Sequence, residues 1–432
     1  MSGGVTATPW GYAEDLRARR LPPGPGTSRE QVDRNQRERL FGAMVIAVEE
    51  NGYEKTRVAD LLMISGVSRN TFYRQFKNKE DCFLATVDAI VAAGGESVVG
   101  AMRKAEGEWD ARLATGLAAL FDLIAAHPAA ARLYYVETYA AGGAAIDKLE
   151  GMGDRIEELA AVAIEQSPRH QDAPRDLLRA ILRGFRRVIQ TRLRNGDEGD
   201  LRDEGPELLR WALSYETPPA KLKRPRKPKP LDHLPSAEPL DKRDRILDSV
   251  MDLMASKGYN ALTIADIAQH AAISLTTFYA CFESKDAAVV AALRRGADRI
   301  LEAITPAYRE APDWAHGVGA GLHAAFAYLM LERPFAQFGG VEVHTGSPLI
   351  VAVRDQLMSA ARTFLAEGYK DHQHVKPVVG EAIMASIDAM LFEQVGRRDR
   401  ARLYELAPTA TYLALVPFVG IDEACAIANS SR

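Results

Sequence analysis

A pattern of Gly-Tyr, a short polar stretch, Ala-Asp, then Ser-x-x-Thr-Phe-Tyr-x-x-Phe-x-x-Lys occurs twice in this 432-residue chain, 206 residues apart and without a gap. The first copy runs through Gly52, Tyr53, Ala59, Asp60, Ser68, Thr71, Phe72, Tyr73, Phe76 and Lys79. The second runs through Gly258, Tyr259, Ala265, Asp266, Ser274, Thr277, Phe278, Tyr279, Phe282 and Lys285. Chance rarely repeats so many positions in register, and a period the size of a domain means tandem duplication, not a solenoid. Trp109 is answered by Trp314, His127-Pro128 by Arg333-Pro334, and Val136-Glu137 by Val341-Glu342. The duplication therefore spans whole two-part units.

The periodicity within each unit is helical. Leu40, Met44, Val45 and Val48 share one face, and Asn51-Gly52 supplies a stop. Two short helices follow around Ser65-Gly66-Val67, and a longer one begins near Asn78-Lys79. Beyond Gly95 the chain stays Ala-rich and helical, with predicted segments 109–126, 128–140, 144–166, 174–194 and 206–215 punctuated by Pro and Gly. The expected class is all-α. The expected domains are a flexible Gly/Pro-rich arm (1–30), a helix-turn-helix (31–80), a helical domain (81–216), a Pro/Lys/Arg-rich linker (217–240), a second helix-turn-helix (241–286) and a second helical domain (287–432).

The net charge of −4 excludes a general polycation and leaves nucleic-acid binding to a local basic face. Cys82, Cys281 and Cys425 fit no zinc or disulfide framework. The N-terminus lacks a basic and an apolar leader region, and no run of about 18 uncharged apolar residues is present. These features point to a cytoplasmic protein with no membrane partner.

A helix-turn-helix lays its second helix in the major groove of double-stranded DNA. In the first copy Ser68 caps that helix, Gly66 suits a left-handed turn, and Phe72 and Phe76 face inward with Val58 and Leu61. Arg69, Asn70, Thr71, Tyr73 and Arg74 are left for the outer surface. Arg69 and Asn70 suit guanine and adenine edges; Thr71, Tyr73 and Lys79 suit phosphate oxygens. Arg57 and Thr263, which precede the first helix of each pair, complete the set of candidate DNA contacts.

These motifs resemble the TetR family of transcriptional regulators: Arg37-Glu38-Arg39-Leu40, Gly52-Tyr53, Ala59-Asp60, Gly66-Val67-Ser68, Thr71-Phe72-Tyr73 and Lys79-Glu80. The resemblance extends across both halves. It implies an apolar small-molecule pocket in each C-terminal region and a four-helix bundle formed by the last two long helices of paired units.

The second copy departs from the pattern. Ala272 replaces the turn glycine, and its recognition helix reads Ser274-Leu275-Thr276-Thr277-Phe278-Tyr279-Ala280, without Arg, Lys or Asn. Over the windows 36–81 and 242–287 the charge moves from +1 to −1. The first head should bind DNA more strongly, while Leu275 and the Thr276 methyl suit thymine methyls; Ser274, Thr277, Tyr279 and Lys285 repeat the backbone grips.

Phe121, Tyr134, Tyr135, Tyr139 and Phe185 in the first helical domain, and Phe326, Tyr328, Phe335, Phe338 and Phe364 in the second, read either as core or as pocket wall. Lys221, Lys223, Arg224, Arg226, Lys227 and Lys229 are a solvated linker or a basic tether; Arg17, Arg19 and Arg20 divide likewise between a solvated segment and a minor-groove arm. His372-x-His374 lacks a third metal ligand, and Gly317-Val318-Gly319-Ala320-Gly321 reads as glycine-rich helix. No catalytic constellation or cofactor motif is present in the sequence.

The combined expectation is a sequence-specific regulator, a repressor released by a small apolar effector. Its two units pair within one chain, or two tandem chains form a homodimer. In a rival reading only the first unit binds DNA and the second is a dimerisation or sensor module.

Overall fold

The computed structural model describes residues 6–21, 26–138, 148, 151–153, 155, 158, 169–170, 173–225, 241–396 and 400–430. Among the described residues the regular structure is helical, with one isolated bridge between Thr8 and Gly11. The class is all-α. Two compact units comprise Met1–Ser167 with Arg186–Leu213, and Pro168–Phe185 with Ser214–Arg432.

The first unit opens with α1 (Ala13–Ala18), α2 (Arg29–Lys55), α3 (Val58–Ser65), α4 (Arg69–Gln75) and α5 (Lys79–Lys104). Ser28 and Gln31 close a reciprocal capping box on α2, satisfying two orphan amides. Gly52, with φ 73°, kinks that helix three residues before its end, and Gly66, with φ 65°, ends α3 in the left-handed region. The core of this part buries Leu40, Met44, Leu61, Phe72, Phe76 and Phe83.

Next come α6 (Trp109–Ala126) and α7 (Pro128–Arg132), which runs into a π-helical turn, Leu133–Glu137. The described part of the unit closes with the C-terminal half of α8 (Arg175–Asn195) and with α9 (Leu201–Leu213). The sequence predicts a helix start at Gly205-Pro206, yet α9 begins at Leu201 and carries Pro206 inside it. Gly205 packs against the Phe121 ring, where a Cβ would come within 2.5 Å of a ring carbon. Tyr139 and most of the predicted 144–166 helix lie outside the described residues; Lys148, Gly151, Met152, Gly153, Arg155 and Glu158 within it are helical.

The second unit repeats the start: α10 (Lys242–Ala261), kinked at Gly258 (φ 73°), α11 (Ile264–His270), α12 (Leu275–Cys281) and α13 (Lys285–Arg309). It continues through α14 (Trp314–Leu331), α15 (Arg333–Gly340), α16 (Pro348–Ala361), α17 (Gly368–Asp371), α18 (Pro377–Gly396), α19 (Ala407–Val419) and α20 (Ile421–Ser430). The Gly317–Gly321 run is inside α14, and Gly317 lets Tyr308 of α13 approach, since a Cβ would stand 2.9 Å from its carbonyl. His372 lies against Trp314 and Phe418, and His374 Nε2 is 3.3 Å from the Pro417 carbonyl.

The first residues of the expected linker are also held in this unit. Thr217 N–H donates to the Arg169 carbonyl (3.0 Å), Lys223 N–H donates to Asn429 Oδ1 (2.7 Å), and Arg224 pairs with Glu405 at 3.6 Å. Arg226, Lys227 and Lys229 lie outside the described residues.

By length and composition α5 could cross a membrane, and α6 with Pro128–Glu137 passes the same test only as a pair bent by 103°. The α5 helix carries Asp88 and Glu96, and its first turns bury Cys82, Phe83, Thr86 and Val87 in the helix-turn-helix core.

Candidate nucleic-acid interface

The first recognition helix, α4, is held from beneath by aromatic packing. Phe72 is fully buried, its ring 5.7 Å from Phe76, and Phe76 meets Phe41 at 6.1 Å. Arg37 places its guanidinium over Phe76 at 5.2 Å. At the N-terminus Ser68 Oγ accepts from Thr71 N–H (3.2 Å) and donates to Thr71 Oγ1 (2.9 Å). The expected cap is in place, and the Thr71 hydroxyl is its partner.

Arg69, Asn70, Tyr73 and Arg74 are exposed on α4. Arg69 lies over the Tyr73 ring at 5.8 Å, and Tyr73 is 48% exposed. Arg74 is paired with Asp33 of α2 at 2.9 Å and also donates to Gln36. Arg57 is exposed, with its N–H on Asp60 Oδ2 (2.8 Å). The α4 surface thus offers one stacked arginine, one amide and a phenol, with Arg74 braced at the side.

The second head has the same scaffold and a different face. Phe278 is buried, 6.0 Å from Phe282, and Ser274 caps α12 through Thr277 N–H at 3.1 Å. Thr263 and Asp266 close a full capping box on α11; the Thr263 hydroxyl and the Lys257 ammonium hold the half-buried Asp266 carboxyl at about 2, well below its usual range. Leu275 (50% exposed), Thr276 and Tyr279 (57%) form the outer surface. Ala272 takes φ 52°, the conformation that its glycine counterpart takes in the first copy.

Lys79 and Lys285 are placed differently from the expectation of phosphate contact. Lys79 Nζ donates to the Tyr53 carbonyl (2.8 Å) and sits 4.1 Å from the Tyr53 ring centre. Lys285 Nζ donates to the Tyr259 and Leu262 carbonyls (3.0 and 3.1 Å) and sits 3.9 Å over Tyr259. Each ammonium caps carbonyls at the helix end just past the Gly-Tyr kink, and burial lowers the pKa of Lys79. On the far side of the first kink, the Tyr53 N–H donates to Glu137 Oε2 at 3.1 Å. In the second copy Glu342 Oε2 approaches Gly258, 2.9 Å from the position of an added Cβ. The Val-Glu pair repeated in both copies is the visible signal for this contact in the sequence, but its role is not visible there.

The arm expected to be flexible is, over residues 6–21, part of the first head. Leu16 is fully buried on Gly42, where a Cβ would meet its methyl carbons at 2.8 and 2.9 Å. Trp10 packs on Phe41 with the rings tilted and their centres 5.4 Å apart. Arg17 donates from Nε to the Met63 carbonyl at the end of α3 (2.8 Å), and Arg19 donates to the Trp10 carbonyl (2.5 Å). Two of the three guanidinium groups divided between a solvated segment and a minor-groove arm are therefore turned onto protein. Gly and Pro composition marks the segment as loop, whereas long-range apolar contacts order it.

Most of the candidate pocket aromatics are packed. Phe121 is 2% exposed; Tyr134 is buried, edge-on to Tyr135 at 4.6 Å and under Arg186 at 5.4 Å. Phe185 is buried and belongs to the second compact unit. Phe326 and Phe338 are buried, Phe335 presses on Gly296, and half-buried Phe364 meets Tyr308 at 5.4 Å.

The model of the bacterial regulatory proteins of the tetR family matches residues 47–86 and 246–292, the two helix-turn-helix regions. The chain matches no curated protein. Similar solved structures include the fatty acid degradation regulator FadR from Bacillus halodurans, 18% identical with TM-score 0.38, covering 41% of this chain and 96% of that one. FadR from Bacillus subtilis in complex with stearoyl-CoA is 16% identical with TM-score 0.36, covering 41% and 98%. The TetR family regulator PfmR from Thermus thermophilus is 23% identical with TM-score 0.33, covering 42% and 98%.

Proposed function

Since this chain is a TetR family DNA-binding transcriptional regulator with the family's DNA-binding domain in tandem, we propose that one polypeptide supplies both reading heads of a covalent pseudo-dimer. The observation that carries this reading is the second compact unit, which joins Pro168–Phe185 of the first copy to the whole second copy. Within that unit Tyr215 OH donates to the Leu413 carbonyl (2.7 Å), and Tyr412 OH donates to the Glu216 carbonyl (3.3 Å). Both phenols are buried and need such partners. In this reading the protein meets DNA in the cytoplasm.

In this reading the heads are unequal. Arg69 and Asn70 read base edges in the major groove, and Arg57, Tyr73 and Arg74 meet phosphates. Leu275 and Thr276 of the second head touch thymine methyls, with Thr263 and Tyr279 beside them. Lys79 and Lys285 hold the Gly-Tyr kinks and add positive potential near the backbone. The regulator acts as a repressor released by a small apolar effector, which binds better to a state whose heads no longer match the operator spacing.

A gel-shift titration of the full chain tests the assignment. Arg69→Ala is expected to weaken operator binding by about 1–3 kcal/mol, with a much smaller loss for Thr276→Ala. Equal losses would make the heads equivalent, and no loss from Arg69→Ala would remove that residue from base reading.

A further inference from the structure

The helix α8 of the first copy has its counterpart in α18 of the second. Pro174 precedes one and Pro377 opens the other; Pro206 and Pro408 answer each other one helix later, which sets the local register at 202–203 residues. In the second compact unit the N-terminal half of α8 meets α18 in two places. Arg183 Nη1 lies 2.7 Å from Glu393 Oε2, and both side chains are about four-fifths buried, at 22% and 19% exposure. One residue on, Gly184 sits where an added Cβ would overlap Ser386 Oγ and stand 2.8 Å from the Ala382 carbonyl. Ser386 is fully buried and donates to that same carbonyl at 2.8 Å.

A two-fold symmetric pairing repeats each contact: where residue i meets j, j also meets i. The residues at the equivalent positions cannot repeat these contacts. By the local register the counterpart of Arg183 is Ala385 or Ser386, and that of Glu393 is Gln190 or Thr191. Two α8 helices paired alike would set Arg183 against Gln190 or Thr191. Two α18 helices paired alike would leave Glu393 facing Ala385 or Ser386, and would put Ser386 or Ile387 where only glycine fits. A partly buried charge without its partner and an overlapped close contact both disfavour the wrong pair.

We infer that α8 and α18 form a heterotypic recognition surface. The first copy's helix is built to accept the second copy's, through Arg183–Glu393 and Gly184–Ser386, and to reject a second copy of itself. The inference rests on the pseudo-dimer reading and extends it, because it names what keeps the tandem chain from forming dimers of chains through either bundle alone.

Double-mutant cycles on the full-length protein test this, with thermal midpoint and sedimentation mass as readouts. Arg183→Glu and Glu393→Arg should each lower the midpoint by several degrees, and the double reversal should recover most of the loss. Gly184→Ala should also lower it, and adding Ser386→Gly should recover part of the loss, since it removes the overlap with the hydroxyl and leaves the close approach to the Ala382 carbonyl. The wild type should sediment as one chain. A double reversal or a Gly184/Ser386 double variant whose loss is the sum of its singles removes the heterotypic surface while the single-chain particle stands. A wild type that sediments as two chains removes the pseudo-dimer, and the inference with it.

Discussion

Ala272 shows how a single residue divides two otherwise matching heads. Its φ of 52° lies in the left-handed region, where a Cβ crowds the following carbonyl at a cost of about 1–2 kcal/mol. Gly66 adopts φ 65° in the first copy with no such crowding. Ala272→Gly is accordingly expected to stabilise the second unit by about 1 kcal/mol, measured as a shift in its urea midpoint. His323 makes a second residue-scale prediction. It is buried, with Nδ1 3.3 Å from Tyr404 OH, and burial holds its pKa down at about 4. A base whose folded pKa is depressed binds more protons when unfolded. Its contribution is therefore full above the unfolded value of about 6.5 and is lost as pH falls towards 4. Unfolding followed from pH 7 to pH 4 should show this loss in the wild type and a shallower slope in His323→Phe.

Among elements, the recognition helices were the most legible. Cap, inward aromatics and turn glycine are local features, and Ser68, Phe72, Phe76 and Gly66 occupy the places their spacing predicted. The direction of a long side chain is not local. Lys79 sits at a helix start, which reads as an anion site, yet its ammonium turns back to the Tyr53 and Glu54 carbonyls just past the Gly52 kink. The segment 6–21 was illegible for a related reason: its order comes from Leu16 on Gly42 and Trp10 on Phe41, contacts that no periodicity within the segment announces. Leu16→Ala should destabilise the first head by about 2–5 kcal/mol, read by hydrogen exchange of α2 and α3 amides. Arg17→Ala should leave the salt slope of DNA binding unchanged, because that guanidinium is occupied by the Met63 carbonyl and neutralises no phosphate. A reduced slope would put Arg17 on the DNA.

At the scale of the whole molecule, duplication and fusion have consequences that neither head has alone. A homodimeric regulator reads a palindrome because its two heads are identical. Here one head presents Arg69 and Asn70 and the other Leu275 and Thr276, so the two half-sites should differ. Duplicated motifs made the two heads visible in the sequence. The proposed pairing through α8 and α18 was not visible there, since it depends on which face of one helix meets which face of the other. The most direct measurement is a footprint of the full-length protein on its operator, combined with light scattering of the complex. One chain per duplex over an asymmetric site is expected, with stronger protection of the half-site that Arg69→Ala weakens. A strictly palindromic footprint occupied by two chains would contradict it.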